Sequence, residues 1–512
     1  MRKTYVLFAA IGSMLAVVTQ AHAQAGASNA VAEGGLAIVP VPKSVILRSG
    51  RVPLGDRIVP ANPELRPLAL ILSGEIEQLT GRRLSVDNKT ARAGDIVLRL
   101  APALKGEAYT IEVKRAATVR GGNYAAVAQG TVSLLQALDL AGTPPEWPRM
   151  TVKDEPVASY RGLMIDAARQ WHSAGALKQL IEMCRWYKIH QFQIHFTDGQ
   201  SFTFPSTAFP KLATPDRHYT VEELRDLEAF ARDRGVEIVP ELETPGHASA
   251  IAKQMPEIFA DDPPSDSVIC PSREEAYRGL DTLIGEMTDI FRTTPYFHIG
   301  ADEVGMEPWK KCKYCQAYMA EHHLEDVNEL YRHFIVRMNE IVKKHGKKTL
   351  VWEGFHKEGK TEIPRDVTVM VFESLYNIAP DVVAQGYAVI NTSWKPLYVV
   401  NNRKWPPEYI YGWNMDRWEN WWDQSKAFKH PITVAPTPLV LGAEMCAWEQ
   451  AEKTEVPSLR QRLPAMSERL WNPDAGRSFQ DFSVRLLATD ASLTKLLPEA
   501  ETKTPPTAAT RP

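Results

Sequence analysis

From Tyr160 onward, short apolar runs suited to buried strands alternate with longer stretches of helical periodicity, and this alternation restricts the fold more than any other feature. The strand-like runs are Arg161–Asp166, Gln191–Thr197, Val236–Glu243, Tyr296–Glu303, Thr349–Gly354, Thr368–Glu373, Tyr387–Ser393 and Leu439–Trp448. Helical spacing is clearest in Val221–Arg234, which Thr220 can cap, and in Val327–Lys344. Such alternation predicts a parallel sheet covered by helices, and eight repeats predict a closed (β/α)8 TIM barrel at about residues 157–480. An open doubly wound sheet is the structural alternative, but no Gly-rich dinucleotide fingerprint supports it.

The preceding segment, 36–151, has another texture. It contains Ile38-Val39-Pro40-Val41-Pro42, a short apolar strand at Ile96–Leu100, an alternating strand at Tyr109–Val113 and a helical pattern from Tyr124 to Leu140. A small α+β domain is the economical reading, so the whole is an α/β chain with the barrel second. At the start, Arg2 and Lys3 precede an apolar stretch from Val6 to Val18 and then Ala21-His22-Ala23, the three regions of a signal peptide cleaved after residue 23. An uncleaved anchor is the alternative, but the run is shorter than the ~20 residues a spanning helix needs. The mature chain is expected to be exported, periplasmic or secreted, with no stable membrane insertion. The last residues, 499–512, are rich in Thr, Pro and Ala and are expected to be disordered.

Composition excludes some partners. The formal charge is −3, and cleavage moves it to −5, with 57 basic against 62 acidic residues, so nothing invites nucleic acid. Of five cysteines, Cys312-Lys313-Tyr314-Cys315 resembles half of a zinc site, but no second pair follows at ligand spacing. A local disulfide or two reduced thiols are the ordinary alternatives in an exported chain.

The chemistry concentrates where the proposed strands end. Asp166, Thr197-Asp198, Glu241 with Glu243, Asp302-Glu303, Trp352-Glu353, Glu373, Trp394 and Trp448-Glu449 all lie there. The carboxyl-terminal ends of barrel strands are where active sites assemble. Acids ringed by aromatic side chains suit a sugar, whose apolar faces stack on indoles while its hydroxyls need charged partners. Thirteen Trp residues are many; Trp413, Trp418, Trp421 and Trp422 cluster before the last strand, whereas Trp186 and Trp471 lie in helical settings that suggest packing. Glycosidic cleavage needs an acid for the leaving oxygen and a second group for the oxocarbenium-like centre. Adjacent side chains in a strand point to opposite faces, so Asp302 and Glu303 can share a pocket only if the strand bends or ends there.

With these residues in view, the chain resembles glycoside hydrolase family 20, the β-N-acetylhexosaminidases. The signature is His298-Ile299-Gly300-Ala301-Asp302-Glu303. Arg161–Asp166, Ile194–Gln200, Tyr219 through His247, Leu441 through Trp448 and Arg462 through Trp471 match further family segments in order, over roughly residues 36 to 480. The resemblance implies exo-hydrolysis of terminal β-linked N-acetylhexosamine from a glycan, with retention, the substrate's own acetamido oxygen attacking to form an oxazolinium intermediate. It implies no cofactor and no metal. Glu303 is then the acid and base, and Asp302 orients the acetamido group, which asks for a protonated Glu303 beside a charged Asp302. By the same resemblance Arg161 donates to the sugar's hydroxyls, Asp198 and His247 support the acid, Trp352 and Trp448 wall the pocket, and Tyr398 donates to the acetamido oxygen.

Four positions depart from the family pattern: Gly199, Glu353, Val400 and Gln450. The last stands where an acid commonly binds the outer hydroxyls, and a neutral Gln450 there predicts tolerance of an epimeric or 6-substituted sugar. Two other functions compete. One is a noncatalytic carbohydrate-binding barrel, against which the intact Asp302-Glu303 pair argues; the other is a metal-dependent hydrolase built on His195, His247 and His298.

Overall fold

The structure, a computed structural model, describes residues 35–498 apart from 263 and 266. The expected leader and tail lie outside the described residues. A small domain comes first. Its sheet has the order Ser44–Pro53, Glu146–Asp154, Tyr109–Val113, Ala117–Gly121, Ile96–Leu100, Arg57–Pro60, Ser85–Val86. Alternation explains these strands: in Tyr109–Val113 the first, third and fifth residues are buried against the helix Tyr124–Gln136. That helix starts where Asn123 accepts the Ala126 amide at 2.8 Å.

The second domain is the closed barrel. Its strands, in order, are Tyr160–Asp166, Gln191–His195, Glu237–Thr244, Tyr296–Gly300, Lys348–Trp352, Thr368–Val371, Ala388–Asn391 and Val440–Ala447. Each pairs in parallel with the next, and the eighth pairs with the first, Gly442 opposite Tyr160, to close the ring. Closure depends on a glycine: a Cβ on Gly442 would stand 1.9 Å from the Tyr160 carbonyl oxygen. Every residue of the first two strands is buried, and apolar side chains such as Leu163, Ile165, Phe192 and Ile194 alternate there with polar ones such as Gln191, Gln193 and His195. The helices show their caps in sequence; Thr220 and Glu223 close a reciprocal capping box at 2.9 and 3.1 Å on Val221–Asp233.

The barrel interior is polar at unusual depth. Glu241 sits at its centre, fully buried, accepting Trp352 Nε1 at 2.7 Å and Gln193 Nε2 at 3.0 Å. His195 Nδ1 lies 2.9 Å from Glu241 Oε2, within ion-pair range though off the line of a hydrogen bond. Burial opposes the charge, but the His195 charge overcomes it and holds Glu241 at about 2. A carboxylate so placed orients Trp352 from below, and each imidazole neighbour hydrogen-bonds the protein through one ring nitrogen only, His195 Nε2 on Asp198 and His298 Nδ1 on the Gly300 amide.

Two bidentate pairs join the domains. Arg185 grips Glu75 at 2.6 and 2.8 Å. Arg161 donates to Glu107 at 3.2 Å and to the carbonyls of Ala158 and Lys188 at 2.8 and 3.1 Å. This placement corrects the expectation that Arg161 binds sugar. It opens the first strand, at the barrel's amino-terminal end, and its guanidinium is completely buried against the small domain. Burial pushes Glu107 upward, but the Arg161 and His190 charges overcome it and hold that carboxyl well below its usual range.

Candidate active site

The fourth strand stops at Gly300, and the chain then turns through left-handed conformations at Gly300, Ala301 and Glu303, with φ of 75, 76 and 46°. Each non-glycine residue there costs about 1 kcal/mol of backbone strain, which the surroundings must hold in place. They do so with specific contacts. His298 Nδ1 accepts the Gly300 amide at 3.0 Å, and Ala301 N donates to the Thr244 carbonyl at 2.8 Å and to Glu243 at 3.2 Å. Burial keeps His298 neutral, near 4, as that acceptor role requires. A Cβ on Gly300 would stand 2.0 Å from the Glu243 carboxylate. The turn therefore releases Asp302 and Glu303 from the strand's alternation, as convergence required.

The two acids meet different surroundings. Asp302 is buried, and its Oδ1 has no hydrogen-bond donor. Burial lifts it to about 6, with the His247 charge acting downward and Glu303 upward. A hydrogen bond with Glu243, itself pushed far up by burial, makes Glu243 the protonated partner beneath Asp302. Glu303 is open, with 47% of its side chain exposed. Its Oε2 lies 3.3 Å from His247 Nε2, and His247 Nδ1 lies 3.7 Å from Asp198 Oδ1. Pairing with the Asp198 carboxylate, then with that of Glu303, raises His247 to about 10. That cation holds Glu303 below its usual range.

This reverses the ground-state ionisation expected of Glu303 alone. Without a sugar, Glu303 is charged and the proton resides next door on Glu373, at the end of the sixth strand. Burial first, then the Glu303 charge, raises Glu373 to about 8, and the two carboxyls share a hydrogen bond. Glu353 fixes this neighbour: its carboxylate accepts the consecutive amides of Ser374, Leu375, Tyr376 and Asn377 at 2.8, 2.7, 2.8 and 3.3 Å. The departure at Glu353 thus serves the backbone that carries Glu373.

Four rings form a closed circuit above the barrel core. Trp352 and Trp448 have centroids 6.0 Å apart, Trp448 and Tyr398 6.2 Å, Tyr398 and Phe372 6.4 Å and stacked, and Phe372 and Trp352 5.9 Å. Trp394, with Trp421 and Trp422 at 5.1 and 5.8 Å, extends this wall outward. The indole N–H groups of Trp448 and Trp394 are buried without acceptors. Trp413 and Trp418 are packing residues, donating to the Arg417 and Val371 carbonyls, as are Trp186 and Trp471.

Arg169 occupies the place expected of Arg161. It lies just past the first strand, forms an ion pair with Asp198 at 2.7 Å, donates to Asp166 at 3.3 Å, and its guanidinium sits 5.0 Å from the Trp448 ring centroid. Gln450 is also corrected. It is fully buried, with Nε2 on Asn401 Oδ1 at 3.1 Å and the Trp448 carbonyl at 3.2 Å, and Oε1 accepting Ser458 at 3.3 Å. Both ends of its amide are used by the protein, leaving none for a sugar. Cys312 and Cys315 form no disulfide.

Paired carboxylates beneath an aromatic box, at the carboxyl-terminal mouth of a parallel barrel, define a carbohydrate-processing site. The sequence profile of Glycosyl hydrolase family 20, catalytic domain, matches residues 159–474, and that of Glycosyl hydrolase family 20, domain 2, matches residues 35–155. The chain belongs to glycosyl hydrolase family 20. It is 27% identical over 502 residues to a beta-hexosaminidase of Porphyromonas gingivalis, spanning 88% of this chain and 62% of that protein. A beta-hexosaminidase of Vibrio furnissii is 31% identical over 293 residues, 51% of this chain and 48% of the relative. The chain thus spans less than two thirds of these relatives' lengths. Among solved structures, a family 20 exo beta-N-acetylglucosaminidase from Vibrio harveyi superposes with a TM-score of 0.76 at 24% identity, covering 91% of this chain and 78% of that one. A beta-N-acetylhexosaminidase from Bacteroides fragilis gives 0.75 at 20%, covering 90% and 95%. These likenesses establish the shared fold.

Proposed function

We propose that this protein is an exo-acting β-N-acetylhexosaminidase that hydrolyses terminal β-linked GlcNAc or GalNAc from glycans with retention of configuration. The observation that carries this reading is the donor-free, buried Oδ1 of Asp302 beside the aromatic circuit. A buried carboxylate oxygen without a donor costs several kcal/mol unless a ligand supplies one, and the N–H of a 2-acetamido group is such a donor.

In this mechanism Asp302, ionised at neutral pH, holds that N–H and turns the acetamido carbonyl oxygen toward the anomeric carbon. The carbonyl oxygen attacks as the glycosidic bond breaks, and the resulting oxazolinium carries a positive charge that Asp302 offsets. The leaving oxygen takes a proton from Glu303. The sugar's arrival displaces water from Glu303 and raises its proton affinity, and Glu373 supplies the shared proton. Glu303 then takes a proton from the water that opens the intermediate. His247 and Asp198 position Glu303, Trp352, Phe372, Tyr398 and Trp448 enclose the acetamido group, and Arg169 and Asp166 face the sugar's hydroxyls. The charge at the outer hydroxyls is therefore set by this pair, with Gln450 behind the wall.

The work is done outside the cytoplasm if residues 1–23 act as the cleaved leader their sequence suggests. Among the described residues no helix is long and apolar enough to cross a membrane. The test is hydrolysis of aryl β-glycosides of GlcNAc, GalNAc, 6-sulfo-GlcNAc and glucose, with a thiazoline mimic as inhibitor. Turnover of the acetamido sugars with no turnover of the glucoside supports the proposal; thiazoline binding without turnover of any substrate points to a binding protein and overturns it.

A further inference from the structure

Three cysteines meet outside the catalytic site. Cys270 follows the loop that begins at His247, while Cys312 and Cys315 flank the start of the helix Lys313–Glu321 in the segment after Glu303. All three are fully buried, and their sulfurs lie within 4.8 Å of one another. Cys270 and Cys315, 45 residues apart in sequence, have sulfurs 3.8 Å apart. A disulfide would require about 2.05 Å. A tetrahedral zinc with Zn–S bonds of about 2.3 Å has S···S edges of about 3.8 Å.

The surroundings suit thiolates. Cys312 Sγ accepts the backbone amides of Asp262 at 3.4 Å and Cys315 at 3.5 Å, the second closing the Cys-x-x-Cys turn on itself. Ser272 Oγ lies 3.1 Å from Cys270 Sγ and 3.5 Å from Cys315 Sγ. Such donors offset the negative charge a metal-bound thiolate retains. Asp261, adjacent to one of these amide donors, is 3% exposed, and its Oδ2 has no partner. The Asp261 carboxylate lies outside the set of ligand atoms within 4.8 Å of one another, so it reaches the fourth position only by a side-chain movement.

We propose that Cys270, Cys312 and Cys315 bind a structural zinc ion as thiolates, with Asp261 or a water completing the tetrahedron. Binding releases the three thiol protons to solvent and changes no oxidation state. The ion joins the His247 loop to the segment following Glu303. Trp309 already ties these segments, donating to the Ile269 carbonyl at 3.1 Å, as does Lys313 N to the Asp262 carbonyl at 3.1 Å. The role is structural: it holds together two loops that leave the barrel beside His247 and Glu303.

The test uses the full chain, purified without chelator or reductant. Elemental analysis should find about one zinc per chain, and Cys270→Ser and Cys315→Ser should each reduce it to below about one tenth, while Cys184→Ala keeps it. Cobalt(II) in place of zinc should give sulfur-to-cobalt charge-transfer absorption, and stripping the metal should lower Tm. Should the serine variants fail to fold, the wild-type metal content and thiol count decide. Metal-free protein two hydrogens lighter in mass, showing a disulfide, overturns the proposal, as does metal-free protein with all its thiols open to labelling after denaturation.

Discussion

Glu303 Oε2 lies 3.3 Å from His247 Nε2, and the charge of Glu303 in turn acts on the neighbouring carboxyl of Glu373. The charge of His247 holds Glu303 low, which places the proton on Glu373, near 8. Replacing Glu373 by Gln removes the titrating partner. The alkaline limb of kcat/KM should then move at least one pH unit toward acid, with about a tenfold loss at pH 7. An unchanged pH profile would show that Glu373 takes no part.

The wild-type profile should be bell-shaped. Asp302 must be ionised to act, so the rate falls as pH drops through about 6. The acid pair must retain its proton, so the rate falls again as pH rises through about 8. Both limbs report coupled groups and belong to the clusters rather than to single residues. Initial rates across the pH range on an aryl N-acetylglucosaminide check this.

Asp302→Asn and Glu303→Gln should fail differently. The first should reduce kcat about a hundredfold or more with any leaving group, because the oxazolinium loses its counter-charge. The second should spare substrates whose leaving group needs little protonation, such as dinitrophenyl glycosides, and suppress those with poor leaving groups. Equal losses across a leaving-group series would refute the division of roles.

The two arginines should separate stability from activity. Arg161→Leu strands a buried Glu107 charge and should cost about 3–5 kcal/mol, seen as a large fall in Tm, with KM little changed in the protein that stays folded. Glu107 is held below its ordinary 4.5, so its contribution is present above that value and lost as pH falls; the variant's stability should vary less in acid. Arg169→Lys should instead leave Tm nearly unchanged and lower kcat/KM by about tenfold or more, through loss of the fork that meets Asp166 and Asp198.

The barrel was legible because short strand-like runs rich in apolar residues alternate with amphipathic helices, both local patterns. Asp302 and Glu303 were legible from the strand end they follow, but their protonation partners were not. Glu243 and Glu373 close on them from the third and sixth strands, a convergence that only barrel closure creates. Arg161 was misplaced for a reason visible in the sequence: it begins its strand, whereas Asp166 ends it, and only strand ends reach the active face. Arg169, three residues past Asp166, satisfied that rule. Gln450 failed for a subtler reason, since Glu449 adopts a left-handed φ of 56° and the chain there no longer follows strand alternation. Cys270 was invisible as a partner of Cys312 and Cys315 because the helix Glu274–Ile290 and the strand Tyr296–Gly300 separate them in sequence.

The central claim is that the sugar's acetamido group is the nucleophile, and fluorination of its methyl group tests this most directly. Each fluorine withdraws electrons from the carbonyl oxygen and weakens its attack. Across aryl glycosides bearing acetyl, fluoroacetyl, difluoroacetyl and trifluoroacetyl groups, kcat/KM should fall progressively, by about a hundredfold or more overall, equivalent to about 2.7 kcal/mol of barrier. A flat series, with the trifluoroacetyl substrate cleaved as fast as the acetyl one, would contradict substrate assistance and return the nucleophile to the protein.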